Sequence, residues 1–469
     1  MIRVGDAATA PAFADAAKAS LADGQLRRNV RHATDVIRTK RAAVVEEMPD
    51  WEALRESGRQ IKAHVLRYLD GYLEQFERNC TAAGGHVHWA RDADEANRIV
   101  IDLIRGRGES EVIKVKTMTS DETRLNLALE GAGIVPYETD LADLIIQLGH
   151  DRPSHIVVPA LHKNRHEIRQ LFMDRMQLGE LGDEPAELTR AARAFLREKF
   201  LRVPVGFSGA NFLVAETGGV CVVESEGNGR MCLTLPKVLI TMVGIEKIVP
   251  RLQDLEVFLQ LLPRSATGER MNPYNSVWTG VTPGDGPEEF HVILLDNGRT
   301  DVLRDEEART TLACIRCGAC LNQCPVYRQT GGHAYGSIYS GPIGAILTPQ
   351  LQGMQHSTSL PYASSLCGAC YEVCPVKINI PEILIHLRTR VVEQGGAPIG
   401  ERVAMKGAAV AFTGGRTLAM AQAAGRLAQK PFERDGLLYD LPGVLAGWTA
   451  TRDLPAIPAQ SFRQWWSTR

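Results

Sequence analysis

The sequence lacks any long uncharged apolar run. A helix needs about 18 to 20 apolar residues to cross a bilayer. The longest candidate among these 469 residues, Val238 to Val249, is interrupted by Glu246 and Lys247. The opening MIRVGDAATAPAF also lacks a basic segment followed by an apolar one, the pattern of a secretory signal. We therefore predict no transmembrane segment and no signal peptide, and we expect the chain to be cytoplasmic.

The sequence also has no excess of charge of one sign. Its 53 basic and 55 acidic residues leave a net charge of -2. Proteins that bind nucleic acids usually carry a basic surface, so the composition gives no reason to propose a nucleic-acid partner. A single core rarely grows beyond about 250 to 300 residues, so this chain is expected to form two or more domains.

A dinucleotide-binding fingerprint is missing as well. The stretch TGGVCVVESEGNGRMCLTLP has Gly227 and Gly229 at the right spacing, but Cys232 stands where the third glycine would be. The following LTLP does not indicate a helix, and Asn228-Gly229 between two β-rich runs predicts a hairpin with a type I′ turn. The sequence therefore contains no recognisable site for NAD or FAD.

Alternating helical and strand patterns fill the region from residue 84 to about 300, after a helical region over residues 1–80. GGHVHWA, EVIKVKTMT and HIVVPA are predicted strands, and DADEANRIVIDLIRGRG and SDETRLNLALEGAG are predicted helices. This βαβ alternation indicates a mainly parallel sheet with helices on its faces. Ligands of such sheets bind beyond the carboxyl ends of the strands.

One predicted strand end carries polar residues suited to an anion. In KVKTMTSDE, Thr119 or Ser120 is expected to cap a helix, with Glu122 completing a capping box to Thr119. Lys114 and Lys116 lie just upstream. A carboxylate would be stabilised there by the helix N-terminus and the lysines, although an ordinary capped helix has the same pattern.

Cysteines are the strongest signal in the chain. Seven of the ten lie between residues 314 and 374, which favours metal or cluster ligation over disulfides. TLACIRCGACLNQCPVY contains C-x2-C-x2-C-x3-C-P, the bacterial ferredoxin run whose fourth cysteine ligates a neighbouring cluster. SSLCGACYEVCPV repeats the run with Ser364 at the first cysteine position. The other three cysteines, Cys80, Cys221 and Cys232, are interpreted as buried thiols.

The ferredoxin rule divides the seven cysteines between two iron-sulfur clusters. A complete [4Fe-4S] cluster is assigned to Cys314, Cys317, Cys320 and Cys374. The second cluster is assigned to Cys324, Cys367 and Cys370. It is either a [4Fe-4S] cluster with a non-cysteine fourth ligand, such as the Ser364 hydroxyl, water or a partner's side chain, or a [3Fe-4S] cluster.

Zinc is the alternative occupant, because two C-x2-C pairs could supply four thiolates. Zinc would leave Cys320, Cys324 and Cys374 without a role. It would also give no reason for the proline that follows both Cys324 and Cys374. The glycine-rich TGGHAYGSIYSGPIGAIL between the motifs is predicted to be a compact loop that shields the cofactors.

Together these stretches resemble the lactate-utilisation protein B family of bacterial iron-sulfur proteins. The resemblance covers nearly the whole chain and is carried by LRYLDGYLEQFE, GGHVHWARDADEA, GFSGANFLVAETGGV, EGNGRM, GIEKIVP, HVILLDNGR, CIRCGACLNQCPVY, GGHAYGSIYSGPIGAILTP, LPYASSLCGACYEVCPVKI and SFRQWW. It implies an α/β LUD domain like that of NagB-type sugar-phosphate isomerases and formyltetrahydrofolate cyclo-ligases. It also implies an α-helical ferredoxin-type domain, and the family shares the split into four and three cysteines.

This organisation predicts four regions. They are an N-terminal helical region over residues 1–80, the LUD domain over 81–300, the iron-sulfur domain over 301–395 and a helical extension with a tryptophan-containing tail over 396–469.

The resemblance further implies a part in oxidising L-lactate to pyruvate, with this chain carrying electrons. The implied companions are a cysteine-rich subunit like heterodisulfide reductase and a second LUD-domain protein. A 2-hydroxy acid releases two electrons whereas each cluster accepts one, and no flavin or nicotinamide motif is present. We therefore expect a companion, or an unrecognised cofactor of the LUD domain, to perform the two-electron step.

Two other functions stay open at this stage. The LUD domain could itself be catalytic, with Arg230 suited to a bidentate clamp on a carboxylate. No pair of its polar residues has the spacing of a known acid/base motif. The candidate residues are Lys114, Ser120, Glu216, Thr217, Asn228, Arg230, Glu246 and Lys247. Alternatively, the chain could be a redox-sensing scaffold with a labile three-cysteine cluster.

Overall fold

The computed structural model of the chain describes residues 10–396, 399–450 and 452–469. The chain forms two compact units, Met1–Arg388 and Thr389–Arg469.

Four helices form the N-terminal region, as predicted; the part of that prediction covering residues 1–9 lies outside the described residues. Apolar residues at helical spacing from Val65 to Phe76 enter the core beside the sheet. The carboxylate of Asp23 caps the second helix by accepting from the amide of Leu26. The helices are α1 (Phe13–Ala22), α2 (Gly24–Glu46), α3 (Trp51–Arg67) and α4 (Leu69–Ala82).

A six-stranded sheet forms the centre of the first unit, and all its neighbouring strands are parallel. Its strands, numbered along the chain with those of the second sheet, are β1 (His86–Ala90), β2 (Glu111–Lys114), β3 (Val135–Glu138), β4 (Val205–Ser208), β7 (Val238–Gly244) and β10 (Glu289–Leu295). Their order in space is β1-β10-β7-β4-β2-β3. The predicted mainly parallel sheet is therefore confirmed.

A smaller mixed sheet packs beside it, in the order β8-β5-β6-β9. Its strands are β5 (Phe212–Val214), β6 (Gly219–Glu224), β8 (Ile248–Val249) and β9 (Tyr274–Trp278). The helices of this region are α5 (Ala93–Gly106), α6 (Met118–Glu122), α7 (Leu125–Gly131), α8 (Leu141–Leu148), α9 (Arg165–Met176), α10 (Pro185–Arg202), α11 (Asn228–Thr234) and α12 (Leu255–Ala266).

Strand β10 shows why the parallel sheet is covered on both sides. Val292 and Leu294 belong to one buried cluster, with α4, whereas Ile293 and Leu295 belong to the other, with α5. Successive side chains of a strand point to opposite faces, so a nearly continuous apolar run supplies both cores at once.

Two predictions of β structure were wrong. HIVVPA does not form a strand. Nδ1 of His155 accepts from the amides of Val157 and Val158 at 3.0 and 3.1 Å, so these amides are not available for hydrogen bonds to a neighbouring strand. The predicted hairpin at Asn228-Gly229 is instead the start of α11.

A carboxylate explains why α11 begins at Asn228. Gly227 precedes the helix with φ at 89°, which glycine adopts without strain. Glu224 then accepts from the amides of Gly229 and Arg230, two donors that have no partner within the helix. The predicted side-chain cap of α6 was also wrong. The cap is the side chain of Thr117, which accepts from the amide of Thr119.

The cysteine region of the first unit contains only helical elements among its described residues. Its α-helices are α13 (Arg299–Arg304), α14 (Ala319–Gln323), α15 (Tyr327–Thr330), α16 (Gly341–Gln352), α17 (Ala369–Glu372) and α18 (Ile380–Glu393), and α18 includes the boundary between the units. Short 3-10 helices are Arg309–Ala313, His333–Tyr335, Met354–His356 and Leu360–Tyr362. The predicted glycine-rich loop therefore ends within a 12-residue helix, α16, which begins at Gly341.

The second unit contains a helical pair, a small antiparallel sheet and a terminal helix. Its elements are α19 (Ile399–Phe412), α20 (Gly415–Gln429), β11 (Glu433–Arg434), β12 (Leu437–Leu438), α21 (Ala446–Thr449), β13 (Leu454–Pro455) and α22 (Phe462–Ser467). Trp465 and Trp466 lie on α22. Over the described ranges of the whole chain, each helix is too short or too polar to traverse a lipid bilayer.

Candidate functional site

Two loops of the same shape present the cysteines. Arg316 directly precedes Cys317, and Leu366 directly precedes Cys367; their φ angles are 60° and 56°. The glycines that follow these two cysteines have φ of 74° and 84° and precede α14 and α17. Non-glycine residues rarely adopt a positive φ. Its occurrence at the same position of both loops indicates that this backbone conformation is needed for function.

Four cysteines from the two motifs line a single small cavity: Cys314, Cys317, Cys320 and Cys374. Backbone amides point at two of the sulfurs, from Arg316 to Cys314 Sγ and from Ile378 to Cys374 Sγ, both at 3.3 Å. Burial raises the pKa of Cys374 to about 11. An iron centre that displaced the thiol proton would be held by thiolates that already accept hydrogen bonds.

The remaining three cysteines of the region form a second group: Cys324, Cys367 and Cys370. Burial, followed by the charges of Cys324 and Cys367, raises the pKa of Cys370 to about 12. Cys324 Sγ accepts from the amide of Tyr327 at 3.5 Å. Cys367 is exposed whereas the other two are buried, so this group borders the surface.

Ser364 repeats the geometry of Cys314. Its Oγ accepts from the amide of Leu366, two residues ahead, at 3.1 Å, just as Cys314 Sγ accepts from Arg316. The side chain of Ser364 therefore has the place in its loop that the side chain of Cys314 has in the other loop.

The cysteine arrangement differs from that of a mononuclear metal site. Four thiolates around zinc lie about 3.8 Å apart, given Zn–S bonds of about 2.3 Å. Among the described residues, no three cysteine sulfurs lie within 4.8 Å of one another. A cubane, whose ligands bind four separate iron atoms, accommodates the wider spacing.

Cations surround the four-cysteine cavity. Arg55 donates to the carbonyl of Cys374 from Nε at 3.0 Å and from Nη2 at 2.8 Å. Arg41 donates to the carbonyl of Val373 at 3.1 Å, and Lys247 donates to that of Cys314 at 3.3 Å. Positive charge around the four cysteines suits a cofactor whose thiolates and sulfides make it anionic. The residues present therefore fit a cluster.

A second, larger cavity of about 250 Å3 lies beyond the carboxyl ends of β2, β4 and β7. The α/β domain supplies most of its wall, from Lys116, Asn228, Lys247 and neighbouring residues. Ile315 and Arg316, from the first cysteine loop, line both this cavity and the four-cysteine cavity. The two cavities are therefore separated by one short segment of chain.

A buried network of ion pairs lies where the two cavities meet. Glu246 accepts from Arg299 Nε at 2.6 Å and from Arg316 Nη2 at 3.3 Å. Burial alone would raise the pKa of Glu246, but Arg299 and Arg316 lower it to about 2. Arg299 also makes a bidentate pair with Glu122, which in turn accepts from Tyr339. The network holds Arg316 against the sheet.

The structure brings three of the eight candidate residues of the α/β domain to the larger cavity: Asn228, Glu246 and Lys247. Lys114 is buried, with Glu138 at 2.6 Å and Ser120 at 3.3 Å, and neither Lys114 nor Ser120 lines the cavity.

The other three candidates lie outside the cavity lining. Glu216 accepts from the amide of Leu252, and Thr217 Oγ1 accepts from the amide of Gly219. The side chain of Arg230 is exposed. Sequence reasoning named Lys116 beside the strand end as suited to an anion but left it out of the eight candidates, and it missed Arg299 and Arg316 entirely. The position of Arg316 between Cys314 and Cys317 was a signal that could have identified it.

Fold and site together define an iron-sulfur protein with an α/β LUD domain. Residues 73–295 match the LUD domain family, and residues 310–378 match the 4Fe-4S dicluster domain. Residues 386–469 match the C-terminal region of lactate utilisation protein B.

Curated relatives match over almost the full length. The chain is 45% identical over 449 residues to lactate utilization protein B of Bacillus licheniformis, covering 95% of this chain and 94% of the relative. It is 45% identical to the protein of that name from Bacillus subtilis, with 95% and 93% covered, and 43% identical to that from Shouchella clausii, with 97% of each covered. The chain belongs to the lactate utilisation protein B family.

One solved structure is also similar to the chain, a DUF162 family protein from Deinococcus radiodurans. It is 14% identical and covers 48% of this chain and 98% of its own. Its TM-score of 0.28 is too low to bear on the fold.

Proposed function

We propose that the chain is the iron-sulfur electron-transfer subunit of a system that oxidises L-lactate to pyruvate. The observation that carries the proposal is the single cavity lined by Cys314, Cys317, Cys320 and Cys374, four cysteines from two motifs about 50 residues apart. Relatives at 45% identity are named for lactate utilisation, which supports the metabolic context.

The ligands proposed for the first cluster are the four cysteines that line this cavity, and those for the second are Cys324, Cys367 and Cys370. We assign the fourth position of the second cluster to Ser364, because its Oγ occupies the place of Cys314 Sγ in a loop of equal backbone shape. A three-iron cluster is the other outcome. Iron-sulfur clusters at these cysteines would accept and release one electron each.

The two cysteine groups differ in whether they face the interior or the surface of the protein. Arg316 connects the four-cysteine cavity to the larger cavity inside the protein. Cys367, by contrast, is exposed. Electrons are proposed to enter at the first cluster and to leave at the second, where a partner can approach the surface.

Companion proteins follow from electron counting. Oxidation of lactate releases an electron pair, whereas each cluster carries one electron, and no nicotinamide or flavin motif occurs in the sequence. We propose a cysteine-rich subunit like heterodisulfide reductase and a second LUD-domain protein as the companions.

One observation favours a second candidate function, in which the LUD domain itself acts on the 2-hydroxy acid. The larger cavity contains three of the predicted polar candidates and borders the first cysteine loop. We also propose that the domain belongs to the NagB and cyclo-ligase type of α/β fold, and that the cysteine region is an α-helical ferredoxin. Six parallel strands and the helical elements around the cysteines support these assignments.

The test is anaerobic purification and cluster reconstitution, followed by iron and sulfide analysis and EPR in both oxidation states. Cys374→Ser is expected to change only the signal of the first cluster, and Cys370→Ser only that of the second. Cys232→Ser, a buried thiol of the α/β domain, is the control and should leave both signals unchanged.

Two results would contradict the electron-transfer function. One is protein that contains zinc and no acid-labile sulfide. The other is loaded protein whose clusters are not reduced when lactate and the two companions are supplied together.

A further inference from the structure

The larger cavity has features that neither the clusters nor the ion network explains. Lys116 and Lys247 line it, and each donates to a backbone carbonyl, of Val157 at 3.1 Å and of Cys314 at 3.3 Å. Neither forms an ion pair with a carboxylate among the described residues. Each ammonium group has three donors, so both retain donors for a further acceptor.

The total charge of the lining limits the ligand. Two cations, Arg299 and Arg316, are already paired with Glu246. Lys116 and Lys247 remain, and three other acids, Asp140, Glu224 and Glu226, line the same cavity. A singly charged carboxylate is favoured in this nearly balanced environment, because a dianionic phosphate would be repelled by the acids.

The rest of the lining suits a short aliphatic group with a hydroxyl or carbonyl. Ile156 and Leu262 provide buried apolar surface. Thr117 and Asn228 provide neutral groups that can both donate and accept. A volume of about 250 Å3 can enclose a molecule of a few heavy atoms and is small for an extended cofactor.

We infer that this cavity is a binding site for a small 2-hydroxy or 2-oxo carboxylate, whose carboxylate is held by Lys116 and Lys247. The inference deepens the proposed function and rests on it for the choice of acid. The site lies at the carboxyl ends of parallel strands, where such sheets bind ligands. Because Ile315 and Arg316 line both cavities, a bound acid would be one segment away from the first cluster.

Binding of oxamate, an unreactive analogue of a 2-oxo acid, tests the inference. Calorimetry on the cluster-loaded chain should give saturable binding, and Lys116→Met and Lys247→Met should each weaken the affinity by at least about tenfold, as expected for a lost charge-assisted hydrogen bond. Lys237→Met is the control, because that lysine is exposed and does not line the cavity.

A second readout uses the neighbouring cluster. Binding of an anion beside Arg316 should lower the midpoint potential of the first cluster in a redox titration, and Lys116→Met should abolish this oxamate-dependent shift. Lys116 makes no hydrogen bond to the cysteine loops, so iron content should stay unchanged in that variant.

The inference is overturned if oxamate does not bind the wild-type protein, or if both lysine variants bind it with unchanged affinity. Tighter binding of inorganic phosphate at the same site would also overturn it. Failure of the electron-transfer function is distinguished by EPR, because clusters that form but are not reduced by lactate and the companions leave the oxamate affinity of the loaded chain unchanged.

Discussion

Replacement of Arg55 should lower the reduction potential of the first cluster. The side chain of Arg55 comes from α3, is 8% exposed and donates twice to the carbonyl of Cys374. A reduced cluster carries one more negative charge than an oxidised one, so a nearby cation stabilises the reduced form. Arg55→Gln removes that cation while retaining a hydrogen-bond donor.

The magnitude follows from Coulomb's law. If the cluster centre lies roughly 8 Å from the guanidinium, Coulomb's law at an effective dielectric constant of about 20 gives about 2 kcal/mol. For one electron this corresponds to about 90 mV. Glu52 accepts from Arg55 Nη1 at 2.6 Å, and its exposed carboxylate offsets part of the positive charge. We therefore expect the potential to fall by about 40 to 90 mV.

The assay is an EPR-monitored redox titration of the loaded protein. Arg55→Lys keeps the charge and should restore most of the potential. Arg59→Gln removes an exposed arginine of the same helix, paired with Glu56, and should shift the potential by less than about 10 mV. A change below about 20 mV in Arg55→Gln, or an equal change in both clusters, would refute the reasoning.

Three further predictions concern the second cluster, pH and the ion network. Ser364→Ala should lower the iron content of the second cluster from four to three atoms, and Ser364→Cys should retain four, as counted by iron analysis and EPR. Burial lowers the pKa of His155 to about 4. Because of this lowered pKa, the folded state binds fewer protons than the unfolded state below pH about 6.5, and the free energy of unfolding decreases as the pH falls. His155→Gln should make the decrease between pH 7.5 and 5.5 smaller by about 1.3 kcal/mol, as measured by urea denaturation. Arg299→Met leaves Glu122 and Glu246 buried without their shared cation and should destabilise the fold by about 3 to 5 kcal/mol, measured in the same assay.

Each of these has a control and a contradicting result. Ser365→Ala, in the same loop, should not change the iron count, and an unchanged count in Ser364→Ala would remove Ser364 from the ligand set. For the pH prediction, His32 is exposed, and His32→Gln should keep the wild-type slope; a wild-type slope in His155→Gln would contradict the explanation. Arg304→Met removes an exposed arginine paired with Asp301 and should cost less than about 1 kcal/mol. An equally small cost for Arg299→Met would contradict a structural role for the network.

Several parts of the fold could be predicted because their signals are local. The alternation of strand and helix patterns indicated a parallel sheet with helices on its faces, and the helical pattern of residues 1–80 indicated helices such as α3 and α4. The predictions failed where a distant or polar side chain decided the backbone. The imidazole of His155 prevents the strand predicted in HIVVPA, and the carboxylate of Glu224 stabilises a helix where a hairpin was expected.

The candidate site divides in the same way. Cysteine spacing and the prolines after Cys324 and Cys374 indicated two clusters, because ligands of one cubane must lie close along a loop. Lys114 and Arg230 were plausible anion ligands from their neighbours in sequence. In the structure, Lys114 pairs with Glu138 and Arg230 is exposed, because the direction of a side chain depends on packing.

The sequence by itself determined the type of chemistry, since thiolates at these spacings suit iron-sulfur clusters whatever the rest of the chain does. It also determined the parallel sheet, through apolar runs that must be covered on two sides. Only the tertiary structure decided which groups meet. Lys116, Lys247 and Arg316 come from segments up to 200 residues apart in sequence and line one cavity because the strand ends and the first cysteine loop pack together. Contacts of that kind depend on the register and packing of whole elements, and no local pattern of residues encodes them.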